Sequence, residues 1–267
     1  MRPYFLLITA ILSCLGFLPS CKKDNKDGSL PVIRLSTNSV TGKSERQIQL
    51  TVDMTTPDGF KELLISKGIN LKTDSSYGTN GVLSVTPVSS GTNTYQYTFT
   101  YTLSPDEVDK LVGFNFKLVD SKGRSAEKDL TVNTTASGAQ IIFSRKWALI
   151  SKLWQSANPP SETIEDCDKD NVWKWNRDST ITINYGASAC TFDGFNVYDK
   201  WTLSEDEKTF TQTYHSLFDP SAITVETYTV TTLSNDKLVM TITLDLSAFG
   251  PPYTNHELFV YTYNSVP

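Results

Sequence analysis

The chain has 267 residues, 24 of them basic and 29 acidic, for a formal net charge of −5. That balance offers no cationic surplus to neutralise phosphates, so nucleic acid is excluded as an expected partner. The length exceeds what one small domain uses and predicts two.

At the amino terminus, Met1, Arg2 and Pro3 lead into an apolar run from Tyr4 to Leu18. The run is too short to span a bilayer and has the length and positive leader of a secretory signal. Leu18-Pro19-Ser20-Cys21 resembles a bacterial lipobox, with Pro19 standing where a small or hydroxyl residue is usual. The resemblance implies cleavage after residue 20 and acylation of Cys21. Residues 21–30 then form a solvated tether, opening on Lys22-Lys23-Asp24-Asn25-Lys26-Asp27-Gly28. One acyl chain holds a membrane only marginally, so a stable anchor relies on the several chains of a processed lipoprotein cysteine. Lys22 argues against retention in the inner membrane, and the expected location is the outer membrane. Losing residues 1–20 removes one charge, Arg2, which takes the net charge from −5 to −6.

Residues 31–135 alternate short β-favouring runs with turn residues, the pattern of a sandwich. The runs are Val32 to Ser36, Gln47 to Asp53, Phe60 to Lys67, Val82 to Val85, Thr92 to Leu103, Phe114 to Asp120 and Ala126 to Val132. Seven strands in this length predict an immunoglobulin-like β-sandwich. Ser104-Pro105-Asp106-Glu107 reads as a capping box with proline at the first helical position, and predicts a short helix to about Leu111. Tyr95, Tyr97, Phe99 and Tyr101 alternate with polar residues, so one face of their strand is aromatic. That face is either sandwich core or a platform on which sugar rings stack.

The segment 136–144 reads as a small, flexible linker. Every tryptophan follows it. Residues 145–267 offer eight further runs: Lys146 to Trp154, Val172 to Asn176, Thr180 to Tyr185, Asn196 to Leu203, Lys208 to Tyr214, Thr224 to Leu233, Lys237 to Leu244 and Glu257 to Tyr263. Eight strands joined in sequence predict an up-and-down barrel, which removes exposed edges by closing on itself. Cys14 leaves with the signal and Cys21 is acylated, so Cys167 and Cys190 remain to form a disulfide in an exported chain. The alternative is a catalytic thiol beside a bystander cysteine, and no low-pKa surroundings are visible for either.

Trp147-Ala148-Leu149, Glu165 to Trp175 with its Cys167-Asp168-Lys169-Asp170-Asn171 core, Cys190, Trp201 to Asp206, Tyr228-Thr229-Val230 and Leu238 to Thr241 resemble the lipocalin-like domains of Bacteroidetes lipoproteins. The likeness spans residues 145–263. Asp178-Ser179 departs from the Asp-Gly turn frequent in that family. The resemblance implies a calycin-type barrel and no particular ligand.

Asp166, Asp168 and Asp170 have the opening spacing of a calcium loop, but its required glycine and twelfth-position glutamate are replaced by Asn171 and Arg177. Gly42-Lys43-Ser44 ends like a phosphate loop without the preceding glycine. Metal and cofactor are therefore expected to be absent. His215 and His256 are the two histidines, with no zinc-protease pairing and no Gly-x-Ser-x-Gly elbow. Carboxylate pairs for glycan hydrolysis leave no fixed spacing and stay open. Trp173 and Trp175 share a strand face, as do Tyr261 and Tyr263, and either fill the barrel or line a ligand cavity. Asp178-Ser179-Thr180 resembles a Bacteroidetes O-glycosylation site at Ser179. The expectation is a non-catalytic, membrane-anchored lipoprotein binding a small apolar molecule, a glycan or a protein. A structural role in an outer-membrane complex is the alternative, and glycan hydrolysis a third reading.

Overall fold

A computed structural model describes residues 29–267. The expected signal, most of the tether and Cys21 lie outside the described residues.

The first half is built from β1 (Val32–Leu35), β2 (Ser39–Lys43), β3 (Gln47–Thr55), β4 (Phe60–Ile69), β5 (Lys72–Thr73), β6 (Val82–Val85), β7 (Val88–Gly91), β8 (Thr94–Thr102), β9 (Val112–Asp120) and β10 (Ser125–Thr135). One sheet runs β1-β3-β8-β7; the other runs β2-β10-β9-β4-β5, with β6 also paired to β4. The leading strand changes sheets: β1 is antiparallel to β3, whereas β2 is parallel to β10. This distribution of strands, first, second, fifth and fourth facing third, sixth and seventh, is that of an immunoglobulin-like sandwich. Alternation along each strand turns Ile33, Leu50, Val52 and Phe99 from one sheet against Leu63, Ile65, Phe114, Phe116 and Leu130 from the other. The aromatic face of β8 therefore points inward, with Phe99 1% exposed and Tyr95, Tyr97 and Tyr101 packed around the core. It is core and not a stacking platform.

Gly42 lies within β2, and a Cβ there would be 2.5 Å from Leu103 Cδ1, so the strand can pass that side chain because Gly42 has none. The predicted helix after Ser104 shrinks to one 3₁₀ turn, Pro105–Glu107, with the capping box intact. Its Glu107 is buried and serves the core: Lys67 Nζ lies 2.5 Å from Glu107 Oε1 and 2.9 Å from Asp74 Oδ2, and Tyr101 donates to Glu107 at 2.6 Å.

The expected flexible linker is instead ordered. Helix α1 (Gly138–Ser144) is N-capped by the Ser137 hydroxyl, and Glu207 accepts from the Gly138 amide at 2.9 Å. Negative charge at a helix start is favourable, and Ile142 is fully buried, which local composition did not disclose. Lys174 Nζ donates to the carbonyls of Phe143 and Arg145 at the other end.

Then follow β11 (Lys146–Trp154), β12 (Ser161–Glu162), β13 (Val172–Trp175), β14 (Ile181–Asn184), β15 (Asn196–Leu203), β16 (Thr209–Ser216), β17 (Asp219–Leu233), β18 (Lys237–Leu244) and β19 (Glu257–Val266). The order is β14-β13-β11-β19-β18-β17-β16-β15, all antiparallel, with β12 beside β11. Every neighbour on this path is consecutive among the long strands except β11 with β19, so the sheet curls into a nearly closed barrel. Its seam lies between β14 and β15, where Trp201 donates its backbone amide to Ser179 O and its indole to Asn176 O. Trp147, Trp175, Phe210, Leu238 and Tyr263 fill the base above Ile142, and the Trp147 indole donates to Ile142 O at 2.9 Å. The base also meets the sandwich, through Lys43–Glu207, Arg46–Glu205 and Glu45–Arg177 ion pairs.

Candidate functional site at the open end of the barrel

The base of the barrel is solid, and the opposite end is not, because the pairing stops short. β11 pairs with β13 only at Trp147 and Ala148, after which its outer half takes β12 as neighbour. β17 and β18 pair only as far as Thr229 and Thr241, although β17 reaches back to Asp219 and β18 on to Leu244. Register shifts at Leu149/Ser151, Tyr198/Lys200 and Val230/Thr232 bend three strands near where the wall divides. The outer half is therefore two leaves, β12-β11-β19-β18 and β17-β16-β15.

The first leaf carries a recess of about 390 Å³, lined by Lys152 and Trp154 of β11, Thr163, Leu244 of β18, Phe259 of β19, and Leu246, Phe249 and Tyr253 of the connecting loop. Trp154 stacks on Tyr253 at 5.1 Å and 21°, and on Phe259 at 6.2 Å and 12°. Its indole donates to Glu257 at 2.6 Å, and that buried carboxylate also accepts from Ser156 Oγ at 2.5 Å and from the Thr254 hydroxyl and amide. The Ser156 hydroxyl, then the Thr254 hydroxyl and the Trp154 indole, hold Glu257 down to about 2. The tryptophan is thus fixed edge-on while Phe249, 75% exposed, stays on the rim.

Facing it, the second leaf presents Gln212, Tyr214 and Glu226. Glu226 accepts from Tyr228 Oη at 2.6 Å, Gln212 Nε2 at 2.8 Å and Tyr214 Oη at 3.2 Å. Burial, reinforced by the Glu226 charge, pushes Tyr214 up to about 12 and Tyr261 above its ordinary value. These phenols stay protonated at neutral pH. The leaves touch at depth, where Tyr228 meets Tyr261 edge to face at 5.5 Å.

Of the residues singled out in the sequence, Tyr261 lines the space between the leaves, while Trp175 and Tyr263 are filling at the barrel base. Trp173 packs on Tyr198 and Tyr263, and the indole nitrogens of Trp173 and Trp175 are buried without a partner. Cys167 and Cys190 form a disulfide with Cα atoms 5.3 Å apart. Asp170, from the calcium-like run, accepts instead from the amides of Ala187 and Ser188. Ser179 is exposed in the β13–β14 turn at positive φ, with its carbonyl taken by Trp201. His215 pairs with Asp199 at 3.0 Å and His256 with Asn255 at 2.6 Å, each away from the recess lining. Sequence reasoning missed Trp154, Phe249, Tyr253 and Glu226. One signal was available: the stretch between Leu244 and Glu257 is longer than a hairpin needs and contains Gly250-Pro251-Pro252-Tyr253.

A second depression, about 430 Å³, lies on the sandwich where Gly68 and Gly113 face each other across β4 and β9. Leu71 and Leu111 flank it, and no tryptophan or tyrosine does.

No known protein family and no curated protein matches the sequence. Among solved structures, the chain is similar to a DUF4466 family protein from Parabacteroides merdae (11% identity, TM-score 0.29, 88% of this chain and 98% of that one). It is also similar to the sporulation control protein Spo0M from Bacillus subtilis (11%, 0.26, 88% and 89%) and to the eight N-terminal immunoglobulin domains of the Down syndrome cell adhesion molecule (11%, 0.29, 89% and 38%). None of these likenesses bears on function.

Proposed function

We propose that this chain is an exported, lipid-anchored envelope protein that binds a small apolar or amphipathic molecule at the open end of a lipocalin-like barrel, without chemical turnover. The observation that carries the reading is the aromatic recess on the first leaf, with Trp154 locked in place and Phe249 and Tyr253 held at its rim. Ligand sites are concave and mostly apolar, with a few placed polar groups, and this recess has Lys152 and Thr163 at its edge. Anchoring at Cys21 by several acyl chains, the implication of the lipobox, puts the sandwich next to the membrane as a spacer. Among the described residues no helix is long and apolar enough to cross a membrane.

Calorimetric titration of the full chain with benzyl alcohol, a water-soluble aromatic probe, tests the reading. Trp154→Ala and Phe249→Ser are each expected to weaken binding at least about fivefold, since an aromatic contact contributes roughly 1 kcal/mol beyond the area it covers. Phe249 is exposed enough that its replacement leaves the fold alone. Unchanged binding in both variants, or none in the parent, refutes the proposal.

A second reading, assembly with a partner protein, is favoured by a different feature of the second half. Phe192 and Phe218, 74% and 73% exposed, cluster edge to face with Phe195 beside Leu217. Exposed apolar clusters of this kind mark contact surfaces. Phe218→Ser would release a stoichiometric partner in native mass spectrometry if this reading holds.

A further inference from the structure

Glu226 is a half-buried acid with no ion-pair partner among the described residues. It sits on the inner side of β17, bonded to the buried Gln212 and Tyr228, and three neutral donors surround it. Part of its hydration is replaced by neutral hydrogen bonds, and a cation approaching from the open side would find an uncompensated negative charge. Oε1 accepts from Tyr214 alone, which leaves it a lone pair for a further donor.

The neighbours are aromatic. Tyr214 packs on Tyr198 at 5.1 Å, and Tyr228 on Tyr261 at 5.5 Å. Continuing the β17–β18 register past its last pair, Thr229 with Thr241, brings Glu226 level with Leu244, a residue of the recess wall. One ring already carries a positive charge: Lys152 Nζ lies 5.7 Å from the centre of Tyr261. Aromatic faces attract cations, more so where water is scarce.

From this arrangement, and resting on the binding role proposed above, we infer that the ligand is an organic cation: an ammonium group seated between Glu226 and the tyrosine rings, with an apolar body in the Trp154 recess. Glu226 supplies the counter-charge, Tyr214 and Tyr261 supply ring faces, and Lys152 sets an upper limit on affinity by like-charge repulsion. The phenols of Tyr214 and Tyr228 use their hydrogens to orient the carboxylate.

The test uses the full chain and three probes with one ring: benzyltrimethylammonium, benzyl alcohol and phenylacetate, titrated calorimetrically at constant ionic strength. The cation is expected to bind at least about tenfold more tightly than the alcohol, and phenylacetate more weakly than both. Glu226→Gln, which keeps the size and most hydrogen bonds, is expected to abolish the preference while leaving benzyl alcohol within about threefold. Lys152→Met is expected to tighten the cation alone, an outcome that damage to the fold does not produce. Equal affinity of cation and alcohol, or a preference that survives Glu226→Gln, overturns this inference and leaves the apolar recess as a binding site. Failure of all three probes to bind overturns both.

Discussion

Replacing Ile142 by alanine tests whether residues 136–144 are the floor of the barrel or a loose connector. The side chain is fully buried, and its helix hands a carbonyl to the Trp147 indole. Truncation removes three carbon groups, worth about 0.8 kcal/mol each in transfer alone, and leaves a cavity beneath a rigid aromatic layer that cannot collapse into it. The sum is about 3 to 4 kcal/mol, or roughly 12 to 16 °C in melting temperature for a domain of about 120 residues. All five tryptophans, at 147, 154, 173, 175 and 201, lie in the barrel, so their fluorescence follows this unit without interference from the sandwich. Urea unfolding read at that wavelength gives the free energy, with Ile150→Ala, at a 45% exposed site, as the control expected to cost less than about 1 kcal/mol. A loss under about 0.5 kcal/mol in Ile142→Ala would mean that the helix only rests against the barrel, and would restore the flexible linker.

In the sandwich, Glu107→Gln leaves Lys67 buried with Asp74 as its remaining carboxylate, and is expected to cost about 1.5 to 3 kcal/mol, the range for a lost hydrogen bond to a charged group. Faster hydrogen exchange across β4 and β9 would report it, whereas unchanged protection would show the pair to be dispensable. At the barrel mouth, Glu257 titrates near 2 in the folded chain against 4.5 when unfolded. Its contribution is complete above the unfolded value and disappears as pH falls from about 4.5 toward 2, so wild type should lose stability over that window more steeply than Glu257→Gln. Parallel urea midpoints for the two proteins across that range would dismiss the carboxylate as the clamp on Trp154.

The strands were legible where alternation was strong. Gln47 to Asp53 and Lys237 to Leu244 bury every second residue, and a period of two needs no partner to be seen. β2 was not, since Ser39–Lys43 offers one apolar side chain and a glycine; it is a strand because β10 provides a parallel edge and Leu103 fills the gap over Gly42. Helix α1 was hidden for a related reason. Seven residues are too few to form a helix by propensity, and what holds this one is Glu207 at its start, Lys174 at its end and the barrel over Ile142, all distant in sequence.

The site was harder to read than the fold because its geometry depends on where pairing ends. From sequence, Trp173, Trp175 and Tyr263 look as able to line a cavity as Trp154 does; the difference is height along the barrel. β13 joins β11 only at its first two rungs, so tryptophans on β13 fall where the wall is intact and become core. Trp154 falls beyond the split, where β12 has replaced β13, and stays only partly buried, against the edge of the core. The same displacement explains Glu226. Inside a closed barrel, a glutamate on the inner face of β17 would cost several kcal/mol unless neutralised. At the level where β17 and β18 have parted, solvent and a ligand can reach it, so the strand can tolerate a charge that the paired part of the barrel excludes. The unpaired strand ends and the unbalanced carboxylate are thus two consequences of one local failure of the sheet to close, and a substitution that extended β17–β18 pairing toward the mouth would be expected to abolish both the recess and the binding.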